Sequence, residues 1–296
     1  MKKIQLDKIP NFYLPVYEHL INILRKGACI FFGAGISKIA GYKLWEELKI
    51  KMVDHFWANK DRLGGEKKRK FDYSFCQNLK QHEHIIETFD YLYMLNSDLY
   101  ICGIKSIFDS DKKKANDQIF KLLYKVNTGK SLYITTNIDK GFQDCAKIGD
   151  PNVSIYPFFS NPPKLISYIH GRIDYKKSWI LNREKYIEAY SSDSSPCMEF
   201  LKQIFDNYSV IFFGYGLREE EIMIAMAKTN KKRQHYWIEP ICRNKFDYLK
   251  IRSTSLKKNY NITLVPYSID SLGHEAILKV IESLNKATKI EMEIDK

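Results

Sequence analysis

The chain has 296 residues, of which 45% are hydrophobic and 14% aromatic, and its formal net charge is +12. This length supports one large core, alone or with a small accessory module. No apolar run approaches the ~20 residues that span a bilayer, and the basic N-terminus is not followed by the apolar segment of a signal peptide. We therefore expect a cytoplasmic protein that does not associate with membranes.

Two further features of the composition limit the function classes. The six cysteines are dispersed, with the closest pair 26 residues apart, so no paired-cysteine zinc site is expected and the thiols should be reduced. Basic clusters occupy residues 67–70, 112–114 and 231–233. We interpret them as solvated surfaces, with nucleic-acid binding as the alternative that is not favoured, because no helix-turn-helix or aromatic RNA-binding signature accompanies them.

The first part of the chain predicts one strand among helices. Residues 12–25 have helical apolar spacing, and an apolar strand follows from Cys29 to Phe32. A helix is predicted from Ile36 to about Trp57, and a loop at residues 62–65 before the first basic cluster. Residues 72–127 have the pattern of several helices with no comparable strand, which indicates a helical insertion.

From residue 131 onwards, short apolar strands alternate with helical stretches. This alternation predicts a mostly parallel sheet with helices on both faces. Ligands of such sheets bind beyond the carboxyl ends of the strands, which selects the segments at residues 33–37, 135–139, 170–171 and 214–216. The strands are expected at residues 132–135, 153–156, 165–169, 210–213, 236–238 and 262–265.

The segment at residues 33–37, Gly-Ala-Gly-Ile-Ser, is the most informative of the four. Glycine lets the backbone approach a ligand closely, and the first N–H groups of the following helix then face a phosphate or pyrophosphate. The third glycine of the dinucleotide fingerprint is replaced by Lys38, and no phosphate-loop pattern is present. A plain strand-to-helix turn therefore remains the alternative for this segment alone.

Polar side chains follow two other predicted strands. Asn137 can both donate and accept, so it could orient a water or a ribose hydroxyl, and Asp139 could accept from an amide or stabilise positive charge. His170, beside Gly171, is placed for general-base catalysis. Helix capping near Asn137 and a structural role for His170 are the alternatives.

Two segments near the end of the predicted sheet complete the set. Gly214 and Gly216 follow a buried strand, and the glutamates that begin the next helix would repel a phosphate, so this loop should face a ribose or adenine. Glu239 ends a further strand, where a carboxylate can accept from both ribose hydroxyls. A surface glutamate is the alternative.

The order of these motifs resembles the sirtuin family over about residues 28–266, with residues 33–37 and 136–139 as the specific parts. Two departures concern acyl-lysine binding: the paired zinc cysteines are absent, and the Gly-Ile-Pro-x-Phe-Arg stretch is replaced by residues 41–46. The variant at residues 45–48, Trp-Glu-Glu-Leu, is similar to the sirtuin-like NAD hydrolases of bacterial anti-phage systems, which cleave NAD to nicotinamide and ADP-ribose.

The resemblance implies a fold and a set of site residues. The fold is one sirtuin-like catalytic domain over residues 1–296, with a Rossmann-like core at about 1–57 and 128–296, a helical insertion at about 58–127 and no zinc module. Asn137 would bind the nicotinamide ribose and position water, Asp139 would meet the nicotinamide amide, and His170 would be the base. The implied contacts of the dinucleotide are Gly33, Ala34, Gly35, Ser37, Trp45, Thr136, Ile138, Gly214, Tyr215, Gly216 and Glu239.

The activity implied is NAD+ glycohydrolysis by the NAD-depleting effector of an abortive-infection system, with NAD+ as substrate and no further cofactor or metal. Protein deacylation and non-catalytic binding of nucleotides or nucleic acids are the alternatives. A constitutive NAD hydrolase would kill its host, and the roughly 30 residues after the sheet are too few for a sensor domain. We therefore expect control by a separate nucleotide-binding or ATPase-type sensor, by homo-oligomerisation, or by both. Whether the product is ADP-ribose or its cyclic form stays open.

Overall fold

A computed structural model describes residues 14–126, 131–217 and 220–290. Seven strands form one sheet in the order β3-β4-β2-β1-β5-β6-β7, and every neighbouring pair is parallel. The predicted α/β architecture is confirmed, and each predicted strand is present. The strands are β1 Cys29–Phe32, β2 Leu132–Thr135, β3 Val153–Ile155, β4 Ile166–Tyr168, β5 Val210–Phe213, β6 His235–Ile241 and β7 Ile262–Ser268.

Helices cover both faces of this sheet. They are α1 Leu14–Lys26, α2 Ala34–Ala40, α3 Trp45–Ala58, α4 Gly65–Lys70, α5 Tyr73–Gln81, α6 Ile85–Leu95, α7 Ser97–Lys112, α8 Gln118–Lys125, α9 Gly141–Ala146, α10 Arg183–Tyr190, α11 Pro196–Asn207, α12 Glu220–Ala227, α13 Phe246–Tyr260 and α14 Ala276–Ile290. Together with the sheet they form the Rossmann-like arrangement that the alternating pattern predicts.

The central strand shows why its sequence is apolar throughout. Successive side chains of a strand point to opposite faces, and in β1 both faces are covered. Phe31 packs into the core formed with α10–α13, whereas Ile30 and Phe32 pack into the core on the opposite face, where α1, α2, α8 and α14 lie. All four residues of β1 are buried, which is typical of parallel sheets.

The helical insertion extends the core that contains Ile30 and Phe32 away from the sheet. The helices α5, α6 and α7 pack against α3, and aromatic side chains such as Phe56, Phe71 and Phe89 fill the space between them. Phe120 of α8 contacts Phe142 of α9 and links the insertion to the helices at the sheet. The region that lacks strands in the sequence is therefore a helical layer on one face of the molecule.

Two local predictions were wrong. The helix expected over Ile36–Trp57 is two helices, because Gly41 adopts φ +109° and ends α2, while α3 begins after Leu44, whose N–H donates to Glu47 Oε2 over 2.9 Å. The loop expected at residues 62–65 is shorter, because α4 begins at Gly65 and contains the first basic cluster.

The described residues also define what the fold lacks. Within them, no helix combines the length and the apolar composition needed to cross a membrane. The same residues contain no group of three or more His, Cys, Asp or Glu side chains that could hold a metal ion. All six cysteines are free thiols.

The strand order reverses at β1, which has β2 on one side and β5 on the other. In doubly wound sheets this switch point opens a crevice at the carboxyl ends of the strands, where ligands bind. The register pairs Phe32 with Thr135 of β2 and with Phe213 of β5, and pairs Thr135 with Tyr168 of β4. The segments that follow these four strands therefore lie side by side.

Candidate active site

Asn137 is fixed at the carboxyl edge between β1 and β2. Its side-chain Nδ2 donates to the Gly33 carbonyl oxygen over 3.0 Å and to Ser37 Oγ over 2.7 Å. Its backbone N–H donates to Thr135 Oγ1, which orients the turn. The residue is 6% exposed, and its side-chain oxygen has no hydrogen-bond partner among the described residues. An unpaired buried acceptor is unfavourable, so a ligand hydroxyl that donated to it would be stabilised.

Ser37 joins Asn137 to Asp139. Ser37 Oγ accepts from Asn137 and donates to Asp139 Oδ2 over 2.7 Å, and Asp139 Oδ1 accepts from the Gly141 N–H over 3.0 Å. Burial raises the pKa of Asp139 to about 6, and these two hydrogen bonds oppose the rise. At neutral pH Asp139 is therefore mostly a carboxylate that is held for accepting hydrogen bonds.

These polar groups face a small pocket that is partly open to solvent. Six of its lining residues were predicted as site residues: Ala34, Ser37, Trp45, Asn137, Ile138 and Asp139. Three were not predicted: Lys43, Leu48 and Phe108. The pocket therefore combines apolar and aromatic walls with an amide, a carboxylate and an ammonium group, a composition typical of small-molecule sites.

His170 follows β4 and lies beside the Asn137 segment without a hydrogen bond to it among the described contacts. The Ile169 N–H donates to the Thr135 carbonyl oxygen, which holds the two segments together. His170 Nε2 and the Tyr190 hydroxyl are 2.9 Å apart. Complete burial lowers the pKa of His170 to about 3, so the imidazole is neutral at neutral pH.

The glycines of the first turn are required by backbone packing. The Gly35 N–H donates to the Gly214 carbonyl oxygen over 2.8 Å, and the Gly33 N–H donates to Phe213. A Cβ atom at Gly35 would lie 2.7 Å from the Gly214 oxygen. A pyrophosphate that bound these two N–H groups, as predicted, would compete with hydrogen bonds inside the protein.

The segment after β5 is mainly engaged in packing within the protein. Gly214 has φ +54° and packs against α2, and the Tyr215 ring packs against Phe31 in the core. The Tyr215 carbonyl oxygen accepts from Trp237 Nε1 over 2.9 Å. Tyr215 is 6% exposed, so its side chain contributes to the core. Gly216, in the same segment, is exposed, whereas the predicted site residue Thr136, which follows β2, is buried.

Glu239 is a buried carboxylate of β6, and the surface alternative is wrong. Its Oε1 accepts from Arg252 over 2.5 Å, and the Arg252 guanidinium lies 4.3 Å from the centre of the Trp237 ring. Burial raises the pKa of Glu239 to about 7, although Arg252 opposes the rise. Its Oε2 is buried and has no partner among the described residues.

The fold and this site define a Rossmann-like α/β domain whose ligand crevice lies at the switch point of the sheet. The model of the SIR2-like domain family matches residues 131–265. The match supports a sirtuin-like domain in this part of the chain, as the motifs predicted, and it fits an NAD-dependent enzyme. It includes the segments of Asn137, His170 and Gly214, whereas the Gly33 turn lies outside it. No curated protein matches the chain.

Sequence reasoning missed four residues that the structure places around the predicted ones. Lys43 stands two positions before Trp45, inside a segment already singled out, so its position was the available signal. Leu48 and Phe108 have the apolar spacing of ordinary helices, and Tyr190 contacts His170 from α10. Nothing in the local pattern of these three residues distinguishes them from other core residues.

Proposed function

We propose that the protein is an NAD+ glycohydrolase, which converts NAD+ and water to nicotinamide, ADP-ribose and a proton. The observation that carries this proposal is the fixed carboxamide of Asn137, whose buried oxygen is unpaired, in one pocket with Asp139. The sirtuin-like domain over residues 131–265 supports it.

The reaction breaks the bond between the ribose anomeric carbon and the pyridinium nitrogen. The electron pair moves to the ring, so nicotinamide leaves neutral and the ribose becomes oxocarbenium-like. Asn137 would accept from a ribose hydroxyl and hold the sugar, while Asp139 would accept from the carboxamide N–H of the leaving ring. Positioning of this kind supplies a large part of the rate in reactions that need no covalent intermediate.

His170 is buried beside the Asn137 segment and is not among the residues that line the pocket; we assign it to the second half of the reaction. Water adds to the anomeric carbon and loses a proton, which His170 would accept and then release to solvent. Because an oxocarbenium-like ribose is a strong electrophile, a weak base suffices, and a neutral buried imidazole is a weak base. General-base catalysis typically contributes about 10²–10⁴-fold, and we expect His170 to act at the lower end because its pKa is about 3.

The nucleic-acid alternative receives less support from the surface. In the first basic cluster, Lys67 donates to the Met94 and Leu95 carbonyl oxygens and Lys68 pairs with Asp61. Lys112 of the second cluster pairs with Asp144. These contacts engage several cations within the protein. A salt-sensitive affinity for DNA or RNA without NAD+ turnover would favour this alternative.

We further propose the biological role that the Trp45 segment suggests, an NAD-depleting effector of bacterial anti-phage defence in the cytoplasm. Trp45 lines the pocket, so the variant segment contributes to the proposed site. In this proposal a separate nucleotide-binding or ATPase-type sensor, homo-oligomerisation, or both control the activity. NAD+ is the substrate, and neither a metal nor another cofactor takes part.

The test is incubation of the purified protein with NAD+, with and without the product of a neighbouring gene, followed by chromatography of nicotinamide and ADP-ribose. We expect nicotinamide release by the wild type and its loss in Asn137→Ala, with the variant still folded at the assay temperature. A contaminating hydrolase would act equally in both preparations. NAD+ that stays intact in every assembly state, with partner and trigger present, contradicts the proposal. Release that requires an acetyl-lysine peptide indicates a deacylase.

A further inference from the structure

Lys43 is a cation in the pocket to which the sequence analysis gave no role. It belongs to the short segment between α2 and α3, and its side chain is 30% exposed. Within the same pocket, the other charged side chain is Asp139. A pocket that presents one donor cation and one acceptor carboxylate can bind a group that carries an acceptor and a donor together.

The insertion holds Lys43 in this position. Asp111 of α7 is 5% exposed, and its Oδ2 accepts from the Lys43 backbone N–H over 3.2 Å. Its Oδ1 lies 3.3 Å from Lys43 Nζ. An ammonium group has three N–H donors, so this ion pair fixes the side chain and still leaves donors for a ligand.

The other residues that line the pocket limit the chemical class of its ligand. Trp45, Leu48, Phe108 and Ile138 provide an apolar and aromatic surface. A flat heteroaromatic ring with a small polar substituent matches these apolar walls and the two charged groups between them.

We propose that Lys43 is a specificity-determining residue that donates to the carboxamide oxygen of the nicotinamide ring, while Asp139 accepts from the carboxamide nitrogen. This inference rests on the proposed function. The carboxamide offers both an acceptor and a donor, so the two charged residues together recognise this substituent. A ring without a carbonyl group gains nothing from Lys43.

The test compares two ring ligands, nicotinamide and 3-methylpyridine, as inhibitors of NAD+ cleavage and as ligands in saturation-transfer NMR. In Lys43→Met we expect nicotinamide to inhibit about tenfold less well, in the range for a hydrogen bond to a charged group. Inhibition by 3-methylpyridine should not change. Lys43→Arg keeps the donor and should recover most of the nicotinamide affinity.

Lys38→Met is the matched control. Lys38 lies on α2 and pairs with the exposed Glu47 over 2.5 Å, so this variant has the same change in charge outside the pocket. Nicotinamide should inhibit this variant and bind to it as strongly as it does with the wild type.

The outcomes separate this inference from the proposed function. If the wild type cleaves NAD+ but nicotinamide affects Lys43→Met as strongly as the wild type, the inference is wrong and the function stands. An equal loss of affinity for nicotinamide and 3-methylpyridine in Lys43→Met would also overturn the inference, since Lys43 would then only shape the pocket. If the wild type leaves NAD+ intact yet binds nicotinamide through Lys43 in the NMR experiment, the ring site stands and the hydrolase proposal fails.

Discussion

The two halves of the carboxyl edge use their residues differently. Beside β1 and β2, polar side chains form a connected set in which Ser37 links Asn137 to Asp139. Beside β5 and β6, the backbone of Gly214 packs against α2, and Glu239 is paired with Arg252. The first half thus keeps spare hydrogen-bonding capacity beside a pocket, whereas most groups of the second half are engaged in packing.

This difference shows what each half contributes to the proposed site. Asn137 and Asp139 are reached by a ligand through the pocket, so substitutions there should change turnover. Gly35 and Gly214 approach each other so closely that no Cβ fits, so substitutions there should change stability first. The following predictions test this division, from the largest expected effect to the smallest.

Ser37→Ala should lower the rate of nicotinamide release about 10²-fold, because the side chains of Asn137 and Asp139 lose their shared partner and small displacements of reacting groups are expensive. Ser154→Ala is the control, since it removes a buried hydroxyl that bonds Ser160 at the sheet edge. Steady-state assays of both variants measure the effect. A Ser37→Ala enzyme that keeps a third of the wild-type rate would break the proposed link between the two residues.

Gly35→Ala should lower the free energy of unfolding by about 1–3 kcal/mol, as for other overpacked interiors. Its Cβ would lie 2.7 Å from the Gly214 oxygen and force the two turns apart. In the control Gly149→Ala, the new Cβ meets Pro151 at an ordinary 3.7 Å. Urea unfolding measures the free energy of unfolding of both variants. Equal stabilities would show that the contact between the two halves, at Gly35 and Gly214, is less tightly packed than its geometry indicates.

The proposed activity should fall as the pH drops through about 6, the pKa to which burial raises Asp139. Its carboxylate is the accepting form, so each pH unit below 6 should lower kcat about tenfold. His170, with a pKa of about 3, stays neutral over this range. The residual activity of Asp139→Asn should lack this decline. Glu239→Gln should retain the decline in kcat. This control distinguishes Asp139 from Glu239, the other carboxyl group that titrates near neutral pH. A decline that persists in Asp139→Asn would contradict the assignment.

Glu239→Gln should have the smallest effect, a rise in the KM for NAD+ of about two- to tenfold at unchanged kcat, as for a hydrogen bond that is weakened in substrate and transition state alike. The exposed Glu66, which pairs with Lys70 in the insertion, provides the control variant Glu66→Gln. Initial rates over a range of NAD+ concentrations give both constants. A fall in kcat would mean that the second half also takes part in the chemistry.

The sequence by itself determined the strands, their parallel arrangement and the residues that follow them. Buried parallel strands need apolar side chains on both faces, so β1 and β5 are visible as short apolar runs. Parallel strands also bring their carboxyl ends to one edge, so the segments of Gly33 and Asn137 were predicted together although 104 residues separate them.

The tertiary structure alone decided which groups at that edge are still available to a ligand. Hydrogen bonds within the protein use the Gly33 and Gly35 N–H groups, and the core takes up the Tyr215 side chain. The insertion fixes Lys43 beside the pocket through Asp111. A sequence pattern records which groups are present, but long-range packing determines which of them are already paired, because partners far apart in the chain leave no local signal.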